Sequence, residues 1–80
     1  MNREETLVWI EDILDALDKR EVIAMIREMI DADEATGEFF ETLDSETERY
    51  QAEGDTQSSE RLIEIARAIA SIRQNRKENL

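Results

Sequence analysis

The chain has 80 residues, 40% of them apolar and 39% charged, with 21 acids against 10 bases and a net charge of −11. Cysteine, histidine and proline are absent, which excludes disulfides and thiolate metal sites, removes the usual neutral-pH proton shuttle, and leaves the helical patterns almost unpunctuated. So anionic a chain repels nucleic acid, and its apolar runs are too short to span a bilayer, so neither nucleic acid nor membrane is an expected direct partner.

At this length a single domain covering 1–80 is expected, with a core that supplies only ~3–5 kcal/mol, so a second copy or another partner would add useful packing. The charge is unevenly spread: residues 1–60 hold nineteen acids and five bases, an acidic body, whereas 61–80 hold five bases and two acids, a mildly basic helix and tail. The opening MNREETL has acids where a secretory signal would have cations, which points to a cytoplasmic protein.

The first predicted helix covers about 3–17. Leu7, Trp9, Ile10, Ile13, Leu14, Ala16 and Leu17 share one half of its wheel, acids fill the other, and Val8 alone falls on the polar side. A second stripe, Val22, Ile23, Met25, Ile26, Met29 and Ile30, predicts a helix over 19–32. In one unbroken helix this stripe would lie almost opposite the first, which favours a turn at Asp18 over a single long helix. Asp18 as N-cap with Glu21 at N3 has the form of a capping box, and the two helices are expected to fold as an antiparallel hairpin.

Residues 31–60 carry eleven carboxylates against one cation, Arg49. Within them 31–37 reads as a connector with Asp33 or Thr36 as a cap. A third helix follows over about 38–52, held by a narrow stripe of Phe39, Phe40, Leu43, Thr47 and Tyr50 and ending at Gly54 in the left-handed conformation. Ser58 and Ser59 read as caps for a fourth helix over 59–75, striped by Leu62, Ile65, Ala66, Ile69 and Ile72, with Arg73, Arg76 and Lys77 complementing its dipole. Four amphipathic helices in one small domain predict an all-α bundle.

Chemistry has few footholds in these residues. Asp12-x-x-Asp15 and Glu28-x-x-Asp31 place carboxylate pairs one turn apart on two helices, an arrangement able to hold Mg²⁺. Their spacing resembles the carboxylate pairs of all-α nucleotide pyrophosphohydrolases, with Asp15 standing where a glutamate would, and that resemblance implies a metal-dependent hydrolase as a remote alternative. All four residues fall opposite the apolar stripes, however. Asp31-x-Asp33-x-x-x-Gly37 departs from a calcium loop, because the glycine comes one position late and Thr42 stands where a bidentate glutamate is needed. No catalytic residue, cofactor or metal is expected.

The distinctive surface is the third helix, where Glu38, Glu41, Asp44 and Glu48 recur about every 5 Å along the axis. That interval is comparable with the ~3.4 Å rise per charge of a nucleic-acid strand. With Glu11, Asp12 and Asp15 on the outer face of the first helix, these residues are expected to occupy a basic surface on a protein partner, such as a nucleic-acid-binding protein or complex. In its sharpest form the chain is a non-catalytic inhibitor that mimics nucleic acid, of the anti-defence or anti-nuclease kind. The alternative is a structural or regulatory homodimer with a solubilising acidic face, whose interface would draw on Trp9, Ile65, Ile69, Ile72, Arg73 and Arg76.

Overall fold

A computed structural model describes residues 1–16 and 18–78, with side chains up to Gln74. It is all-α: α1 (Arg3–Asp15), α2 (Lys19–Asp31), α3 (Gly37–Ala52) and α4 (Thr56–Glu78), with no strand among the described residues.

Each helix begins where a side chain can take up orphan backbone donors. Asn2 caps α1 in a full capping box, its Oδ1 accepting from the Glu5 amide while the Glu5 carboxylate accepts from the Asn2 amide. Asp18 caps α2 as expected, but through the Arg20 amide at N2 rather than the N3 amide. Thr36, not Asp33, caps α3, its hydroxyl accepting from the Phe39 amide. The fourth start lies upstream of the expected one: Asp55 accepts from the Ser58 amide, so α4 opens at Thr56 and runs through Glu78 instead of 59–75. Ser59 therefore sits in the first turn, buried, with its hydroxyl donating to the Thr56 carbonyl, and does not cap the helix.

Two helix ends share one device. After α3, Gly54 at φ +81° lets the Asp55 amide reach the Tyr50 carbonyl and the Gly54 amide reach that of Gln51, a Schellman motif. After α2, Asp33 occupies the equivalent left-handed position at φ +56°, with the Glu34 amide donating to Met29 and its own amide to Ile30. Asp33 thus ends one helix and caps none. Aspartate tolerates this conformation better than most side chains but less well than glycine.

The helix directions follow from long-range bonds. At the start of α1 the Arg3 amide donates to Glu38 at the start of α3, and at the end of α1 the Leu14 and Ala16 carbonyls accept from Arg61 in the first turns of α4. Since only three residues separate the end of α3 from the start of α4, α1 runs parallel to α3, and α4 returns antiparallel to both. Helix α2 also returns, ending at Asp31 three residues before Glu34, whose carbonyl accepts from the Met1 ammonium at 2.8 Å. The chain does turn between α1 and α2, as expected, yet the expected hairpin is not a principal packing unit. The main helix pairs are α1 with α3, α3 with α4, and α2 with α4.

One core joins all four helices: Trp9, Ile10 and Ile13 from α1, Ile26, Met29 and Ile30 from α2, Phe39 and Leu43 from α3, and Leu62, Ile65 and Ile69 from α4. Phe39 is fully buried at its centre. Its ring meets Trp9 edge to face at 5.2 Å and Phe40 likewise at 5.3 Å. Burying each such side chain contributes ~1.5–3 kcal/mol against the ordering of the chain.

Packing on α3 and α4 corrects parts of the expected stripes. Thr6 and Thr42 are buried, while Leu7 and Leu14 are only half-buried and Ile23, expected in the α2 stripe, is 37% exposed. Val8 is exposed, as its wheel position requires. Leu17, another member of the expected α1 stripe, lies outside the described residues.

Pairing the helices in this way also sorts the charges. Helices α1 and α3 together carry ten acids and two bases, a net −8, whereas α2 and α4 carry six acids and eight bases, a net +2. The sequence divides its charge at residue 60. The fold divides the helical charge between two helix pairs, with five further acids, Asp18, Asp33, Glu34, Glu53 and Asp55, in the connecting segments.

Candidate functional site

The acidic surface is built on α3. Phe39, Thr42 and Leu43 anchor the helix, with Phe40, Thr47 and Tyr50 half-buried beside them. The two threonines turn their hydroxyls onto their own helix, Thr42 to the Glu38 carbonyl and Thr47 to the Leu43 carbonyl, each at 2.8 Å, so neither needs a partner elsewhere. The opposite face carries Glu38, Glu41, Asp44 and Glu48, all four exposed.

The one cation of residues 31–60 is already engaged. Arg49 donates through Nε to Glu46 and through Nη1 to Glu53 at 3.1 Å, and its guanidinium lies 4.6 Å from the centre of the Tyr50 ring. The Glu46 hydrogen bond, ahead of the Coulombic attraction of Glu46 and Glu53, raises its pKa above the ordinary arginine value. Arg49 is thus held along α3 by two carboxylates that are not members of the exposed row. Glu41, Asp44 and Glu48 form no ion pair with any described residue. The Glu38 carboxylate accepts from the Arg3 amide, at 3.2 Å, which joins the start of α1 to the start of α3.

A recess of about 260 Å³ lies where these two helix starts meet, lined by Arg3, Glu38, Glu41, Thr42, Ser45 and Glu46. Of the expected site residues it gathers only Glu38 and Glu41. Glu11, Asp12 and Asp15 are exposed on the parallel neighbour α1, turned away from the core. The acidic surface is thus carried on two adjacent helices.

The carboxylate pairs able to hold Mg²⁺ are not assembled. Asp12, Asp15, Glu28 and Asp31 are all exposed, α1 and α2 are not a principal packing pair, and no three metal-ligating side chains converge among the described residues.

The residues considered for a dimer interface fall at several depths of the chain. Trp9, Ile65 and Ile69 are core side chains, and Ile72 is half-buried. Arg73 lies with its guanidinium 5.5 Å from the centre of the Phe40 ring. The side chain of Arg76 lies outside the described residues. No helix among those described is long and apolar enough to cross a membrane.

Arg61 is a residue that periodicity cannot reveal. Helix α1 has no basic residue in its last turn, and Arg61, forty-seven positions on from Leu14, supplies the missing cation to its terminal carbonyls. The only sequence signal is that deficiency itself.

No family model, curated protein or solved structure matches the chain.

Proposed function

We propose that this protein is a non-catalytic binding protein that occupies a basic surface on a macromolecular partner, presenting its α3 carboxylates where that partner would otherwise hold nucleic acid. One observation carries the reading: Glu38, Glu41, Asp44 and Glu48 stand exposed along one helix face, while the single cation of the segment is committed to Glu46 and Glu53. An uncompensated row of charge on a rigid helix is costly to the folded state and useful to a partner that neutralises it. It also favours fast, salt-sensitive association with cationic grooves. The Glu11, Asp12 and Asp15 row on α1 supplies a second anionic edge. The partner class is a nucleic-acid-binding protein or complex of the cytoplasm, and the consequence of binding is inhibition by competition.

The test compares wild-type protein with a variant carrying Glu38→Gln, Glu41→Gln, Asp44→Asn and Glu48→Gln, each immobilised and exposed to lysate at low and high salt. Nucleic-acid-binding proteins retained at low salt by the wild type alone, and released by added duplex DNA, support the proposal. Equal retention by both proteins at both salt concentrations rejects it.

A further inference from the structure

The side of the molecule away from the acidic rows carries a feature of its own. Helices α2 and α4 run parallel, and between them lies an open groove of about 450 Å³. Ile26 and Ile65 form its buried floor, Val22 and Ala68 are half-buried in its walls, and Ile23 stands 37% exposed at its edge. Charges of both signs line the same groove: Lys19 and Arg61 on one hand, Glu64 on the other.

We infer that this groove is a homodimer interface, in which two copies pack α2 and α4 against α2 and α4 about a twofold axis. Charge selects a second copy as the occupant. Two molecules at −11 repel wherever their α1 and α3 sides approach, but the lining of this groove holds Lys19 and Arg61 with Glu64, opposite signs on one patch. A patch holding both signs is self-complementary under twofold symmetry, where each residue of one copy meets the reciprocal residue of the other. Lys19 of one copy can then face Glu64 of its mate, twice per dimer. A strongly anionic partner would gain from Lys19 and Arg61 but meet Glu64, and a cationic one would meet the reverse. Ile23 supplies the apolar contact, entering the groove of the mate. The arrangement leaves both α3 rows pointing outward and does not depend on their having a partner.

The test is sedimentation equilibrium of the full chain at ~150 mM salt across a range of protein concentrations. A species of twice 9.3 kDa is expected. Ile23→Glu, at a position already exposed, is expected to raise the dimer dissociation constant at least ~10-fold while far-UV circular dichroism stays that of the wild type. Val8→Glu, at the exposed apolar position of α1, is expected to leave the dimer unchanged. Lys19→Glu and Glu64→Lys are each expected to weaken the dimer, and the double swap to restore it. A 9.3 kDa monomer at every concentration overturns the inference, and so does a dimer that Val8→Glu dissociates and Ile23→Glu does not. Failure of the double swap to restore association refutes the twofold pairing.

Discussion

Arg61 donates to the carbonyl oxygen of Leu14 at 2.9 Å, and to that of Ala16 at 3.0 Å, closing the C-terminal end of one helix from the first turns of another. The bond does two things at once. It satisfies carbonyls that α1 cannot pair internally, and it fixes the order in which the helices pack. Arg61→Ala is therefore expected to lower the unfolding free energy by ~1.5–3 kcal/mol in urea denaturation, the range for a lost charge-assisted hydrogen bond. Arg61→Lys should recover less than half of the loss, because a single ammonium cannot fork to two carbonyls as a guanidinium does.

Phe39 and Phe40 test how far adjacent identical residues differ in weight. Phe39 is fully buried between Trp9 and its neighbour, whereas Phe40 is half-buried under Arg73. Phe39→Ala is expected to cost ~3–5 kcal/mol, enough to abolish cooperative unfolding in a domain whose whole margin is of that order. Phe40→Ala should cost about 1–2 kcal/mol and leave the transition intact.

Gly54 and Asp33 hold equivalent left-handed positions with opposite residue choices, which predicts substitutions of opposite sign. Gly54→Ala is expected to destabilise by ~1 kcal/mol from backbone conformation alone, since a Cβ there meets nothing within 4 Å. Asp33→Gly is expected to stabilise by about 0.5 kcal/mol, as the relief at φ +56° exceeds the entropy that glycine adds to the unfolded chain. Thermal midpoints measured side by side give both signs.

The α3 row makes stability depend on ionic strength. Neighbouring like charges on a helix cost ~0.2–0.5 kcal/mol a pair at low salt. Neutralising Glu38, Glu41, Asp44 and Glu48 together should therefore stabilise the fold by about 1 kcal/mol near 10 mM salt, and by much less at a few hundred millimolar, where screening does the same work. Wild-type stability that fell as salt was added would contradict repulsion along this helix.

How much of this could be read in the residues depends on what each feature requires. The existence of the helices follows from local periodicity, and Phe39, Leu43, Leu62 and Ile69 are core because they occupy the centres of their stripes. Gly54 ends α3 because few other residues reach its backbone angles. The misread positions depend on which helix is the neighbour. Ile23 sits within its stripe, yet α2 packs beside α4 and the core takes Ile26, Met29 and Ile30 instead. Thr6 is polar by composition but buried, because its hydroxyl is satisfied by the Asn2 carbonyl at 2.7 Å and its methyl is free to pack. The start of α4 was displaced by three residues because Asp55, Ser58 and Ser59 can all cap, and only the Schellman turn before them selects Asp55. The exposure of the α3 acids was legible from their wheel positions. Their position relative to the α1 row was not, since it depends on how two parallel helices are rotated about their own axes.

The sorting of charge between the two helix pairs makes the molecule an electric dipole as well as an ion. In a body 42 × 26 × 18 Å in extent, α1 and α3 hold a net −8 and α2 and α4 a net +2 by sequence, with five further acids in the connecting segments. A cationic surface then exerts a torque as well as a pull, turning α1 and α3 to the front before any atoms touch. At physiological salt this torque acts over a Debye length of ~8 Å, a few water layers. Collisions that begin in the wrong orientation can thus be corrected in flight, and the fraction of encounters that arrive correctly posed is set by the packing order of the helices as much as by the number of carboxylates.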